Sequence, residues 1–246
     1  MNEFEREVAG RVEANAIDRP LQAAADGFMN ASIAAKYSYN FSWLGRPIIQ
    51  YPQDIVAMQE LIWTLQPELI VETGIAHGGS LIFSASMLEL NAACGGPADA
   101  RVVGIDIDIR AHNKKAIEAH PMFRRITMIE GSSVAADVVA KVQAMVTGKK
   151  SVLVCLDSNH THAHVLAELE AYAPMTTVGS YCVVFDTIVE DLPAALSFDR
   201  PWGPGDNPKT AARQYIAAHP EFEIDHRVDA KILIGVAPHG YLRRVR

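Results

Sequence analysis

The chain has 246 residues, 49% of them hydrophobic and 21% charged, with a formal charge of −7. That length buries one sizeable core, and the acidic balance excludes a protein built mainly to hold nucleic acid; the basic end "YLRRVR" reads as a solvated terminus. Cys94, Cys155 and Cys182 are odd in number and widely spaced, which excludes a disulfide framework and fits reduced thiols in a cytosolic protein.

The N-terminus "MNEFEREVAGRVEANAIDRP" is charged and helical in pattern, without the layout of a signal peptide. No apolar run reaches membrane-spanning length, so a soluble, cytoplasmic protein is expected. Residues 1–35 read as helix, 36–54 as an aromatic, turn-rich stretch, and 54–67 as a helix stopped at Pro67. Residues 1–53 are therefore expected to form an extension, serving as a lid or an oligomer contact in a homo-oligomer, ahead of a main domain at 54–246.

From there strand-like and helix-like segments alternate. Buried runs at 68–74, 100–108, 124–132, 150–158 and 179–187 are separated by helical spacings at 78–93, 111–121, 134–146 and 162–174. Such an α/β alternation predicts a mostly parallel sheet with helices on both faces and right-handed crossovers. Residues 188–208, rich in Pro, Asp and Gly, are too long for a plain connection and read as a lid or binding loop. Residues 221–246 read as two strands with no helix between them, an antiparallel hairpin at one edge. A seven-stranded sheet closed in this way is the Rossmann-like layout of class I S-adenosylmethionine-dependent methyltransferases.

The stretch "LIVETGIAHGGSLIFSAS" turns a strand into a helix through Gly74, Gly78 and Gly79. In an open α/β sheet the ligand lies at the carboxyl ends of the strands. A dinucleotide site wants G-x-G-x-x-G, whereas here Glu72 precedes the turn and would repel a pyrophosphate. A cation such as the sulfonium and ammonium of S-adenosylmethionine suits it, with the glycines allowing close approach. Asp106 ends the second strand, where a carboxylate accepts ribose hydroxyls. Ser132 and Ser133 follow the third, either at an adenine edge or as a helix cap. His77, inside the turn, either meets the cofactor's carboxylate or faces solvent.

"LDSNHTHAHV" puts Asp157 at the end of the fourth strand, and Asp186 ends the fifth. Neighbouring strands bring these carboxylates together as a site for a hard cation such as Mg²⁺. A cation there polarises a substrate hydroxyl, and His160, nearest the strand end, is the candidate base, with a pKa near the ordinary value. His164 is placed to support it. Three alternating histidines also suggest zinc, but residues two apart on a helix do not face one another and no cysteine is near.

With these residues in place, the chain resembles the cephalosporin hydroxylase / rhamnosyl O-methyltransferase family over residues 36–246, through "WLGRPIIQYPQD", "PELIVETGIAHGGSLIFSAS", "VVGIDIDIRAHN", "IEGSS", "LDSNHTHAHVLAELEAYAP" and "GYLRR". The resemblance implies cofactor contacts at Glu72, Gly74, Gly78, Ser80 and Asp106, and magnesium at Asp157 and Asp186. It also implies an acidic pair after the fifth strand, where this chain has Phe185–Asp186; a water, Glu190 or Asp191 would fill the place. The expected activity is methyl transfer to a hydroxyl of a sugar or glycosylated natural product, in lipopolysaccharide or natural-product biosynthesis, with a small-molecule or glycan acceptor and no nucleic acid. An NAD-dependent oxidoreductase and a cofactor-binding assembly subunit without turnover are the rival readings.

Overall fold

The computed structural model describes residues 2–196 and 199–246. Two helices, α1 (Glu3–Asn15) and α2 (Arg19–Ala34), open the chain. Asn2 caps α1 through a reciprocal pair with Glu5, and Asp18 caps α2 ahead of Pro20. A small hairpin, β1 (Ser42–Trp43) with β2 (Arg46–Pro47), precedes α3 (Pro52–Leu65).

The main sheet is then laid down by β3 (Leu69–Thr73), α4 (Gly79–Ala93), β4 (Arg101–Asp106), α5 (Ala111–Glu118), β5 (Ile126–Glu130), α6 (Ala136–Val146), β6 (Val152–Leu156), α7 (His162–Tyr172) and β7 (Tyr181–Val184). The chain closes with α8 (Pro208–Ala218), β8 (Phe222–Ile224), α9 (His226–Ile232) and β9 (Tyr241–Arg244). The strand order is β5-β4-β3-β6-β7-β9-β8, parallel except for β9, which runs antiparallel to both neighbours.

Alternation along each strand builds two cores. Ile70, Val102, Leu153 and Val183 face one side with Ile62, Leu81, Leu88 and Ile117. Val71, Val103, Val154 and Val184 face the other with Val142, Leu169, Tyr172 and Tyr215. Burial of each such aliphatic side chain contributes roughly 1.5–3 kcal/mol, and burial on both faces explains why these strands read as continuous apolar runs.

One expectation is corrected. The edge pair is antiparallel as expected, but α9 stands between β8 and β9. The run "KILIG", which begins in its last turn, has strand-like composition, yet Asp225 caps a helix that ends at Ile232, with Leu233 following at φ +59. Only Tyr241–Arg244 reaches the slot beside β7, where Tyr241 lies opposite Val183. Helix α8 also follows the 188–208 loop; its signal was "NP", an Asn207 cap with Pro208 in the first turn.

Candidate active site

The order reverses around β3, with β4 on one side and β6 on the other, so the carboxyl ends of β3, β4, β6 and β7 surround one crevice. Glu72 is the last but one residue of β3 and 4% exposed. Burial pushes its carboxyl up to about 7, while the hydroxyls of Ser84 and Ser80 pull it back. Ser84 donates to Glu72 Oε1. Glu72, Ser80, Gly74, Asp54, Asp157 and Phe185 line a cavity of about 30 Å³, roofed by Ile48 and Gln50. A second cavity of about 50 Å³ shares Ile48, Gln50, Gly74, Ser80 and Asp157 with it and is also bordered by His77 and Gly79.

The glycines are needed for packing against protein. A Cβ on Gly74, at φ +89, would lie 1.9 Å from the Asp157 carbonyl oxygen, so β3 and β6 touch backbone to backbone there. A Cβ on Gly78 would meet the Ile117 side chain, and one on Gly79 the Pro47 carbonyl. The turn between them is fixed from three directions. Asp106 Oδ2 accepts from Ile75 N at 2.8 Å and Ala76 N at 3.1 Å, and its Oδ1 accepts from Asp108 N. Asn113 Nδ2 donates to the Ala76 carbonyl at 2.9 Å. Arg46 donates to the His77 carbonyl and to Asn113 Oδ1. Asp106 thus spends three acceptor positions on backbone, leaving about one for a ribose hydroxyl. Arg46 and Asn113 escaped the sequence reading, since neither sits at the carboxyl end of a strand of the main sheet.

Beyond β6 and β7, Asp157, His160 and Asp186 converge, with one donor atom from each within 4.8 Å of the others. His160 Nδ1 lies 3.1 Å from Asp186 Oδ2; its Nε2 lies 3.4 Å from Asp157 Oδ1, without hydrogen-bond geometry. Burial opposes charge on this ring, but Asp186 and Asp157 outweigh it and push it up to about 9 instead of leaving it at the ordinary value. Burial raises Asp157 and the imidazole counters it. Trp202, from the 188–208 loop, packs edge-on against His160 with centroids 4.8 Å apart. Gln50 Nε2 reaches Asp157 Oδ2 at 3.4 Å, and its buried Oε1 has no hydrogen-bond partner.

Asp54 on α3 is a further carboxylate that the sequence reading missed. It is fully buried, accepts from Val236 N at 2.9 Å and is pushed up to about 7 by burial, with Asp186 and Asp157 adding to the rise.

Other candidates go elsewhere. Ser133 Oγ meets His164 Nε2 at 3.2 Å, and His164 also faces Ser158 and buried Glu168, away from His160. Ser132 helps start α6, its carbonyl accepting from Ala135 N. His162 binds Thr210 and Gln214 on α8, so the three alternating histidines do not converge on zinc. Phe185 is buried against the cavity. Neither Glu190 nor Asp191 replaces it: Glu190 accepts from Gly205 N and Asn207, and Asp191 pairs with Lys209.

A mostly parallel seven-stranded sheet with this final antiparallel pair, its glycine turn and carboxylates at one crevice define a class I methyltransferase fold. CmcI with magnesium and S-adenosylmethionine has a TM-score of 0.56 at 20% identity, over 85% of this chain and 78% of that one. MycE, a methyltransferase of the mycinamycin pathway in complex with magnesium, S-adenosylhomocysteine and mycinamycin VI, gives 0.51 at 17% identity, over 89% and 53%. The rhamnosyl O-methyltransferase of Mycobacterium tuberculosis strain H37Rv is 31% identical over 201 residues, 78% of this chain and 73% of that protein. Residues 35–245 match the family described as rhamnosyl O-methyltransferase/CmcI. The chain belongs to that family and is an S-adenosylmethionine-dependent O-methyltransferase, which removes the nicotinamide oxidoreductase reading. Among the described residues no helix is long and apolar enough to cross a membrane.

Proposed function

We propose that this methyltransferase acts on a hydroxyl of a sugar or glycosylated natural product, with magnesium held by Asp157 and Asp186 and His160 receiving the proton. The observation that carries the reading is the pair of carboxylates with an imidazole between them, one strand away from buried Glu72. Two hard oxygen donors fit magnesium, which is bound through one or two carboxylates and keeps several waters; Phe185 leaves those further positions to water and substrate.

The donor end fits as well. Glu72 is costly to hold ionised in its cavity, and a sulfonium or ammonium beside it offsets that cost. The unpartnered Gln50 Oε1 is an acceptor for the donor's ammonium. Gly74, Gly78, Ser80, His77 and Asp106 border the same turn. A bound donor supplies the methyl group, and bound magnesium supplies the charge that lowers the pKa of the acceptor hydroxyl.

His160 becomes a base only once Asp157 and Asp186 are neutralised by a bound cation, because in their presence it holds its proton up to about pH 9. Nε2, which lacks a hydrogen bond, is then the nitrogen that takes the hydroxyl proton. The hydroxyl oxygen gains the methyl as the carbon–sulfur bond breaks, leaving neutral S-adenosylhomocysteine. Trp202 offers an aromatic face beside the base, a surface suited to the apolar face of a sugar ring. This supports a carbohydrate acceptor, as does the rhamnosyl name of the relatives.

The cavities are far below the roughly 300 Å³ or more of a cofactor pocket, so segment 46–51 is proposed to lift for donor entry and close over it. The lid role of residues 1–53 lies in that segment. A homo-oligomer contact through the same extension is supported by α1, which buries none of its residues and exposes Phe4. A cytoplasmic location fits the three free thiols.

The test is calorimetry of S-adenosylhomocysteine binding, followed by methyl transfer to a panel of rhamnosides and other glycosides, with chelator and then added Mg²⁺. Binding with chelator-sensitive, magnesium-restored transfer is expected. No binding at millimolar ligand would defeat the donor assignment, and binding with no transfer would return the assembly-subunit reading.

A further inference from the structure

A second constellation lies outside the crevice. Asp225 caps α9, and the first turn of that helix presents His226 and, three residues on, Asp229. His239 arrives from the loop before β9. One donor atom from each of the three lies within 4.8 Å of the others.

The two imidazole rings are gathered at Asp229 without hydrogen bonds to its carboxylate. Asp229 accepts through both oxygens from the backbone N–H of His239, at 3.1 Å each. The rings stand just too far for hydrogen bonds to the same carboxylate: His226 Nδ1 is 3.6 Å and His239 Nε2 is 3.9 Å from Asp229 Oδ2. Four-coordinate metal bonds of about 2.0–2.1 Å place neighbouring ligand atoms about 3.3 Å apart. The two imidazole–carboxylate distances exceed that spacing by about 0.3 and 0.6 Å, so side-chain rotation brings both nitrogens to bonding range.

The third ligand is held by the fold. His239 has φ +66, an uncommon conformation for a residue with a side chain. The next residue is pinned, since a Cβ on Gly240 would lie 2.1 Å from the Val184 carbonyl. Asp229 is 18% exposed, His239 39% and His226 64%, so the set opens to solvent. The adjoining cleft of about 420 Å³ also presents Asp26 and Gln22 of α2. Lys209 bears on the set but is paired with Asp191.

We propose that His226, Asp229 and His239 form a second metal site, specific for a first-row transition dication of the zinc type. Two imidazoles and one carboxylate suit zinc, cobalt or nickel, whereas magnesium prefers oxygen alone. The site is thus chemically distinct from Asp157 and Asp186. Its role is a brace on the 233–240 loop. That loop gives Val236 N to Asp54, Pro238 O to Thr187 Oγ1 and Val236 O to Ile188 N, and so supports the backbone that carries Asp186.

The test is Co²⁺ titration of the chelator-treated full chain in excess Mg²⁺, read by the visible d–d absorption of four-coordinate cobalt and reversed by Zn²⁺. One equivalent is expected in the wild type and in Asp157→Asn, with binding at least tenfold weaker in His226→Ala and His239→Ala. Exposed His226 keeps folding intact in its variant, checked by circular dichroism and unchanged S-adenosylhomocysteine binding. Absence of the band in the wild type overturns the proposal, as does its persistence in His226→Ala. Loss of the band in Asp157→Asn would place the ion at the first site and overturn it too.

Discussion

Replacing Glu72 with glutamine separates what the residue costs the fold from what it gives the ligand. A glutamate ordinarily titrates near 4.5, and this one near 7. At about 1.4 kcal/mol per pH unit, holding it ionised costs about 3 kcal/mol once the pH is well above 7. The sign follows from a raised carboxylate: the cost is absent below pH 4.5, grows as pH rises to 7, and is constant beyond. Glu72→Gln keeps the shape, and the hydroxyls of Ser84 and Ser80 remain to serve the amide. In the ligand-free protein the variant should match the wild type at pH 5 and exceed it at pH 9 by up to about 3 kcal/mol. For a chain of this size that is roughly 6–12 °C in melting temperature. The same change should weaken S-adenosylmethionine at least tenfold at pH 8, because the offsetting charge is gone. Melting curves at pH 5, 7 and 9, with and without ligand, check both. A difference between variant and wild type that does not change with pH would refute the burial argument, and an unchanged affinity would refute the pairing with the donor.

His160 gives a second pH signature. Its folded pKa is above the unfolded one, so its contribution to stability is complete below about 6.5 and lost as pH rises through about 9. In chelator, wild-type melting should fall over that window more steeply than His160→Gln, and the ring should titrate lower by NMR when Mg²⁺ is added. Gly74→Ala forces a Cβ onto the Asp157 backbone at positive φ; it should cost more than 3 kcal/mol in denaturant unfolding and weaken Mg²⁺ as well, because Asp157 must move. Trp202→Ala should raise KM for the acceptor about tenfold while calorimetry shows S-adenosylhomocysteine affinity within twofold of wild type; equal loss of both would remove Trp202 from the acceptor side.

The parallel strands were legible because burial on both faces leaves each as an apolar run ended by a polar residue, and those ends carry Glu72, Asp106, Asp157 and Asp186. Closure was harder to read. "KILIG" has strand composition, but the Asp225 cap starts α9 ahead of it and the helix ends inside it, with Leu233 at φ +59. Helix α8 was announced only by Asn207 and Pro208. Asp54 was hidden inside an amphipathic helix, where a carboxylate ordinarily faces water. Arg46 and Asn113 act on backbone carbonyls, contacts with no sequence period. The glycines were read as space for a ligand; the structure spends their missing side chains on Asp157, Ile117 and Pro47.

The contact at Gly74 sets a length. Methyl transfer needs sulfur, carbon and oxygen in line, so the reach from donor to acceptor oxygen decides the rate. On the proposed assignment, the turn that would border the donor and the strand end that would position the acceptor meet at Gly74 and Asp157 with no side chain between them. With that assignment the fold would work as a caliper with a fixed opening: the loops could change which molecule is offered, while the stroke across which its oxygen is methylated would stay the same.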